Sequence, residues 1–287
     1  MQIRIGIILI ITLAITGCAD LSAVKKFSAD TITLADSIDR IAIDTSASCL
    51  RRLALDVPVK GLSQETRQLY ADVCSQLKQS SELFIDLNRT TRAYGRVLGQ
   101  LADNKLVSHN AEIDGAKGAI ATIKSSAGQP YFEAAQLDAV GSLADVVLRA
   151  TTDAYRQREI RRVLDHHDDL VKLATLLQTF ISRAYLPTLA NEEGNLDSLE
   201  EIITDRHIRS EPLRARELLE LLTQQRVNLA DRKKAANDTL DAITKMVETH
   251  KQLLQNADKP DDKLLIQLLN DYAKQIRDVR KQIQSSF

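Results

Sequence analysis

The stretch from Gln64 to Ala102, QETRQLYADVCSQLKQSSELFIDLNRTTRAYGRVLGQLA, decides the fold class. It contains no proline, and its apolar side chains recur at intervals of three and four residues, the spacing of one helix face. The face consists of Tyr70, Val73, Leu77, Ser80, Phe84, Leu87, Thr91, Tyr94, Leu98 and Leu101. At 1.5 Å per residue this helix is about 60 Å long. Such a length is typical of helices that pack as coiled coils do.

Most of the remaining chain repeats this pattern. The other predicted helical faces are Val24–Ile41 in a first helix that begins near Leu21, Ile113–Ile123, Val140–Ile181 within a stretch from Tyr131 to Ala184, Leu196–Ile203, Leu219–Leu254 after Pro212, and Leu265–Ile283. The predicted connections are Ser46–Ser63, Asn104–Ser108, Ser125–Pro130, Pro187 with Asn191–Asn195, and Lys259–Asp262. Because short connections make consecutive helices antiparallel, the sequence predicts an all-α fold. We expect an elongated antiparallel helical bundle with coiled-coil-like long helices.

Composition agrees with helices and restricts the partners. With 44% hydrophobic residues but only 10 glycines and 5 prolines in 287 residues, the chain can bury a core and has few helix breakers. The 38 basic and 39 acidic residues give a formal net charge of −1 at pH 7. Binding to nucleic acid would call for a basic stripe, and the sequence has no long run of one sign. The sequence therefore predicts no nucleic-acid partner.

Residues 1–17 have the three parts of an export signal. Arg4 precedes an apolar run from Ile5 to Ile15, and the small residues Thr16 and Gly17 follow. The apolar run is far shorter than the roughly 20 residues that a membrane-spanning helix needs. The four residues that end at Cys18, Ile-Thr-Gly-Cys, resemble the lipobox of bacterial lipoproteins. The alternative is a plain secretory signal followed by an incidental cysteine.

The lipobox resemblance implies cleavage before Cys18 and a diacylglycerol on its sulfur. The chain would then consist of a cleaved signal peptide, residues 1–17, and a single elongated helical-bundle domain, residues 18–287. Length alone would also allow two domains, with a boundary between Asn191 and Ser210. By analogy with Gram-negative sorting, an aspartate directly after the cysteine favours the inner membrane, and that position holds Ala19. We therefore expect a lipid anchor in the bacterial cell envelope, in the outer rather than the inner membrane.

Two further cysteines, Cys49 and Cys74, remain once Cys18 carries lipid. An even remainder in an exported protein predicts one disulfide. Closing a loop of about 25 residues removes roughly 3 kcal/mol of unfolded-state entropy. Two unpaired buried thiols are the alternative. A zinc site is less favoured, because the close Cys-x-x-Cys spacing is missing.

The best local candidate for chemistry is a weak metal site formed by Glu159, His166 and Asp169. On a helix, His166 and Asp169 share a face at i,i+3, and an imidazole with a carboxylate is a reasonable metal-binding pair. Di-iron bundles require Glu-x-x-His motifs, which this sequence lacks. The flanking leucines predict that His167 lies at the edge of the core, with His166 on a solvated face. We therefore predict no metal, no cofactor and no catalytic residue.

Polar residues also interrupt the apolar seams. His250 lies between Val247 and Leu254, where a polar residue commonly sets helix register or partner choice. Ser80, Thr91 and His250 could face another protomer or solvent.

These observations favour a membrane-anchored, periplasm-facing lipoprotein that acts as a non-enzymatic protein-binding or scaffold component of the envelope. Its partners would be the membrane, through the N-terminal lipid, and a protein of unknown identity. An anchored inhibitor or immunity protein against a secreted toxin is the first alternative and would direct an acidic face at a basic target. A metal-binding periplasmic enzyme using Glu159, His166 and Asp169 is the second.

Overall fold

The computed structural model describes residues 21–60, 63–103, 110–125, 132–150, 156–256 and 263–287. Its α-helices are α1 (Ser22–Lys60), α2 (Gln64–Asp103), α3 (Asn110–Ser125), α4 (Ala134–Ala150), α5 (Arg156–Leu164), α6 (His167–Phe180), α7 (Leu186–Ile202), α8 (Pro212–Gln255) and α9 (Lys263–Ser286). Single π-helical turns, Ile181–Tyr185 and Ile203–His207, follow α6 and α7. The part of the chain that the structure describes contains no strand, so the predicted all-α bundle is confirmed. The predicted signal peptide and Cys18 lie outside the described residues.

The decisive stretch forms α2 as predicted, and α2 packs closely on α1. Phe84, Leu87, Tyr94 and Leu98 of its predicted face are fully buried. The close approach depends on Gly95 and Gly99, which face α1 at the position of Ser28. The Ser28 hydroxyl donates a hydrogen bond of 2.7 Å to the backbone oxygen of Gly95. A side chain on either glycine would enter this contact.

Contacts between named side chains show how the long helices run. The rings of Phe27 and His250 lie 5.8 Å apart near the start of α1, whereas Asp44, farther along α1, lies 3.7 Å from Arg232. As the residue number rises along α1 it falls along α8, so these two helices are antiparallel. Helix α9 turns back along α8, because Gln275 and Gln282 donate hydrogen bonds to Asp238 and Asp231. The largest fully buried side chains include Phe27, Leu34, Ile38, Ile41, Phe84, Leu87, Tyr94, Leu98, Ile113, Phe180, Tyr185 and Tyr272.

The predicted connection Ser46–Ser63 is wrong over most of its length, because α1 continues to Lys60. The stretch resembles a connection in the sequence because it contains Pro58 and Gly61, the two residue types that favour helices least. In the structure the Thr45 hydroxyl donates to the backbone oxygen of Ile41, and the Ser48 hydroxyl donates to the carboxylate of Glu192. The acceptor of Thr45 lies one turn earlier in α1, and the acceptor of Ser48 lies on α7, so both hydroxyls are satisfied while the segment is helical.

The predicted loop at Pro187 and Asn191–Asn195 is also wrong, since α7 runs through it. The π-helical turn Ile181–Tyr185 directly precedes the proline, and the N–H of Leu186 bonds to the oxygen of Ile181. Proline lacks the N–H that a regular ladder would need, and such wider turns accommodate interruptions of that ladder. Farther along α7, Asn195 donates to the backbone oxygen of Arg52 on α1 at 3.2 Å.

The predicted stretch Tyr131–Ala184 is divided in the structure. Between α5 and α6 the chain turns at Asp165 and His166. Asn104–Ser108 and Lys259–Asp262 lie outside the described residues, as do residues 126–130. The restart of the chain at Pro212 is confirmed, with the proline in the first turn of α8.

The predicted disulfide is confirmed. Cys49 on α1 and Cys74 on α2 are bonded and buried, with their sulfur atoms 2.05 Å apart. The bond joins the two helices in the second half of α1. The expectation that Ser80, Thr91 and His250 face a protomer or solvent is wrong, because all three are buried within the chain.

Replacing Gly99 by alanine should destabilise the protein by about 1–2 kcal/mol, because the new Cβ would lie 2.4 Å from the Ser28 hydroxyl oxygen. The matched control is Gly194→Ala in α7, where an added Cβ meets nothing within 4 Å. That substitution should stabilise the helix by up to about 1 kcal/mol. Urea unfolding of both variants provides the comparison. Adding Ser28→Ala to Gly99→Ala should restore most of the lost stability. Equal urea midpoints for Gly99→Ala and Gly194→Ala would contradict the close contact between α1 and α2.

Candidate functional site

The predicted pair of His166 and Asp169 is present at the turn between α5 and α6. The carboxylate oxygen Oδ2 of Asp169 lies 3.0 Å from His166 Nδ1 and accepts a 2.6 Å hydrogen bond from Ser142 of α4. Burial disfavours the ionised carboxylate, but the hydrogen bonds from His166 and Ser142 outweigh it and lower the pKa of Asp169. The pair therefore connects α4 to the start of α6.

Glu159, the third predicted metal candidate, does not complete a ligand set with that pair. Within the described ranges, no three His, Cys, Asp or Glu side chains converge as a metal site would require. Glu159 is buried on α5, with Arg162 3.7 Å from one carboxylate oxygen and no hydrogen-bond partner for the other. The sequence spacing placed His166 and Asp169 together, but the chain turns between Glu159 and this pair.

A hydrogen-bonded chain of three side chains, Tyr94, His250 and His167, joins α2, α8 and α6. His250 Nε2 lies 2.5 Å from the Tyr94 hydroxyl, and His250 Nδ1 lies 2.9 Å from His167 Nδ1. The Tyr94 hydroxyl also donates to the backbone oxygen of Val163 at 3.3 Å. Both nitrogens of the fully buried His250 are therefore engaged. The sequence indicated that His250 occupies a seam and His167 the core edge, but it did not indicate that they meet.

Burial governs the electrostatics of this chain. Desolvation, together with the neighbouring His167, lowers the pKa of His250 to about 3. Desolvation also lowers the pKa of His167, where Asp168 acts in the opposite direction and Lys251 in the same one. Both imidazoles are consequently neutral at pH 7, and a neutral ring can donate from one nitrogen and accept at the other.

A second polar group, which we call the buried ion cluster, joins α1, α7 and α8. Its members are Asp44, Ser48, Arg51, Tyr185, Glu192 and Arg232. Glu192 is 2.9 Å from Arg51 Nε and 3.1 Å from Arg232, and Asp44 is 2.9 Å from Arg51. Two carboxylates thus face two guanidinium groups, and the charges balance.

The remaining polar atoms of the buried ion cluster are also engaged. The Tyr185 hydroxyl donates to Asp44 at 2.8 Å, and burial together with the Asp44 carboxylate raises the pKa of Tyr185. The Ser48 hydroxyl completes the contacts of Glu192. Because removing one partner of a buried ion pair leaves an uncompensated charge, this arrangement holds the three helices in one register. Sequence reasoning missed it, since Glu192 was assigned to a loop and Arg232 was not among the residues of the predicted face of α8.

The first half of α8 leaves an apolar surface uncovered. Leu213, Leu221 and Val227 are 80%, 59% and 52% exposed. A groove of about 490 Å³, which we call the distal groove, is lined by Ile208, Pro212, Arg216, Leu219, Glu220, Thr223, Gln224 and Val227. Of the exposed residues named above, Val227 lines the groove, where Ile208, Pro212 and Leu219 are the other apolar residues. Exposed apolar side chains that lie together are typical of interaction sites.

A different groove, which we call the acidic groove, lies between α8 and α9. It is lined by Asp241, Thr244, Lys245, Glu248, Asp271, Lys274, Gln275 and Asp278. Lys245 pairs with Glu248 at 3.0 Å, and acidic side chains outnumber basic ones along the groove.

Comparison with known proteins finds no matching family model, no similar curated protein and no similar solved structure. None of the described helices is long and apolar enough to cross a membrane.

Replacing Glu192 by alanine should destabilise the protein by about 3–5 kcal/mol, because the buried Arg232 would keep its charge with only Asp44 nearby, at 3.7 Å. The neighbouring Glu193→Ala is the matched control. Glu193 pairs with Lys233 at 2.5 Å, but its side chain is 47% exposed, and an exposed pair contributes less than about 1 kcal/mol. Thermal or urea unfolding measures both. Similar losses for the two variants would show that the buried ion cluster does not stabilise the fold.

Acid should weaken the fold through His250. Its folded pKa of about 3 lies below the ordinary 6.5, so the unfolded chain takes up the proton first as the pH falls below 6.5. The stability due to neutral His250 is complete above that pH, and up to about 2 kcal/mol of it is lost by pH 5. The double variant His250→Leu, Tyr94→Phe should lose less stability over this range than the wild type. His207→Leu, at an exposed histidine, should leave the pH dependence unchanged, and identical slopes for all three proteins would contradict the assignment.

Proposed function

We propose that the chain is a lipid-anchored, periplasm-facing envelope lipoprotein that binds a protein partner and has no enzymatic activity. The observation that carries this proposal is the uncovered apolar surface of the distal groove. Apolar side chains that a folded chain leaves together on its surface are stabilised when a partner covers them. The interior polar groups also support the proposal of a non-enzymatic protein. Within the buried ion cluster the side chains bond to each other, and Tyr94, His250 and His167 likewise bond to each other, so both groups have their partners inside the fold.

The position of the distal groove suits an anchored binder. Arg232 lies beside Asp44, and Asp44 is about 33 Å along α1 from Ser22 at 1.5 Å per residue. The groove begins beyond Arg232 and extends to Pro212, so it lies about 40–60 Å from the first turn of α1. A lipid on Cys18, just before α1, would therefore hold the membrane at one end of the bundle and leave the groove at the other.

The test uses the full-length chain in intact cells, with a photo-crosslinking amino acid in place of Val227 and a clickable fatty-acid label. We expect the label on the wild-type chain and its loss in Cys18→Ala. We also expect one abundant envelope protein crosslinked at position 227, with a lower yield when the anchor is absent. The matched control carries the photo-crosslinker in place of Glu82, an exposed residue of α2, and should not capture that protein.

Failure of either part would contradict a separate half of the proposal. A fatty-acid label that persists in Cys18→Ala would contradict the proposed lipid anchor at Cys18. If the chain stays monomeric and no protein is crosslinked to it, the proposed protein-binding function is contradicted. The segment from Glu159 to Asp169 would then be the place to look for chemistry, and stoichiometric zinc or iron that is lost in His166→Ala would support the metal-binding alternative.

An anchored inhibitor or immunity protein is the second candidate, and the acidic groove favours it. An acidic groove suits a basic target, because complementary charge accelerates encounter and selects partners. In the same experiment, a photo-crosslinker in place of Asp271 would capture a basic secreted protein, whereas position 227 would capture none.

A further inference from the structure

Helices α1 and α9 lie side by side and run in the same direction. Near the start of α1, Lys26 donates a hydrogen bond to Asn270 of α9, and five residues later the Thr31 hydroxyl lies 3.3 Å from the Tyr272 hydroxyl. Farther along both helices a groove of about 290 Å³ opens between them, which we call the arginine groove. It is lined by Thr33, Asp36, Ser37, Arg40, Arg280, Ile283 and Gln284.

Two guanidinium groups line this groove, one from each helix, and the chain neutralises neither of them. Among the described residues, Arg40 and Arg280 have no ion-pair or hydrogen-bond partner. Asp36 lies four residues before Arg40, a spacing that favours an ion pair within a helix. Its carboxylate instead accepts hydrogen bonds of 2.9 and 2.8 Å from Arg92, which also binds Asp39. The positive charges of Arg40 and Arg280 therefore remain available to a ligand.

The open hydrogen-bonding groups of the groove are N–H donors. The hydroxyls of Thr33 and Ser37 donate to backbone oxygens of α1, so their hydrogen atoms are already engaged. The side-chain amide of Gln284, one turn after Arg280 on α9, has no hydrogen-bond partner within the described ranges. Three side chains, Arg40, Arg280 and Gln284, thus offer N–H groups to whatever enters the groove.

These donors match one anionic group in both charge and number of oxygens. The planar guanidinium fork fits the oxygens of phosphate and carboxylate groups. A phosphate monoester has a charge of about −1.5 to −2 at pH 7 and three terminal oxygens. It can balance Arg40 and Arg280 together and accept from Gln284 as well. A single carboxylate, such as an acidic side chain of a protein partner, has one charge and two oxygens and leaves one guanidinium group unbalanced.

We propose that the arginine groove binds a small phosphate monoester, with the phosphate held between Arg40 and Arg280 and Gln284 as the third donor. The volume of the groove is close to the lower limit of small-ligand sites, about 300 Å³. The buried side chain of Ile283 lines the groove and packs against the carbon skeleton of the ester. The distal groove is lined by no residue of α1 or α9, so this site is independent of the proposed protein-binding function.

The experiment titrates the purified full-length chain with glycerol 3-phosphate in a calorimeter at constant ionic strength. We expect one molecule to bind per chain. Arg40→Gln and Arg280→Gln should each weaken the binding about tenfold or more, because glutamine keeps an N–H donor but removes the charge that strengthens the hydrogen bond. Succinate, which carries two carboxylates, should bind more weakly than glycerol 3-phosphate.

Two controls separate a lost site from a damaged fold. Since Arg40 and Arg280 have no partner among the described residues, both variants should unfold at the same urea concentration as the wild type. Arg183, in the π-helical turn after α6, is also exposed and also lacks an ion-pair partner within the described ranges. Arg183→Gln removes the same charge elsewhere and should leave the affinity for glycerol 3-phosphate unchanged.

Each other outcome overturns the inference. If the wild type gives no heat of binding, the groove does not bind a phosphate monoester. Equal affinities of the wild type, Arg40→Gln and Arg280→Gln would place the bound molecule elsewhere on the chain. An equal loss of affinity in Arg183→Gln would assign the effect to overall charge. Tighter binding of succinate would assign the two arginines to two separate carboxylates. None of these results bears on the crosslinking at position 227, which tests the protein-binding function.

Discussion

The structure depends on the burial of Glu192 and Asp44 against Arg51 and Arg232. This contact is the point at which α1, α7 and α8 meet, and it is too costly to leave half formed, because an unpaired charge in a dry interior lacks both water and a counter-ion. It fixes α7 against α1, and through α7 it fixes the position of Ile208 beside the first half of α8. The shape of the distal groove therefore follows from an ion pair that lies outside it.

A second constraint acts nearer the start of α1. There Gly95 and Gly99 let α2 approach Ser28 closely, and the chain of Tyr94, His250 and His167 connects α2 to α8 and α6. Apolar packing alone would allow helices to slide along one another, whereas buried polar partners are satisfied in only one register. One polar group acts near the start of α1, and the other acts near its middle.

Much of the fold was predictable because helical periodicity is a local signal. The face of α2, the start of α8 at Pro212 and the seam position of His250 all follow from spacing along the chain. The errors at Ser46–Ser63 and at Asn191–Asn195 share one cause. The first stretch contains Pro58 and Gly61 and the second is mostly polar, so both resemble loops when read alone. In the structure Ser48 bonds to Glu192 and Asn195 bonds to the backbone of Arg52, so the two stretches contact each other across α1 and α7. Helix propensity describes an isolated segment in water, whereas these two segments pack against each other in the folded protein.

The sequence by itself determined the all-α class, the length of α2 and the even pair of cysteines that forms the disulfide, since each depends on residue type and spacing. It also paired His166 with Asp169, which lie within one turn. Only the tertiary structure decided that His167 meets His250, that Glu159 stands apart from His166, and that apolar side chains of the first half of α8 stay exposed. Those facts depend on which helix lies beside which, and that is settled by packing and buried charge between residues far apart in the chain.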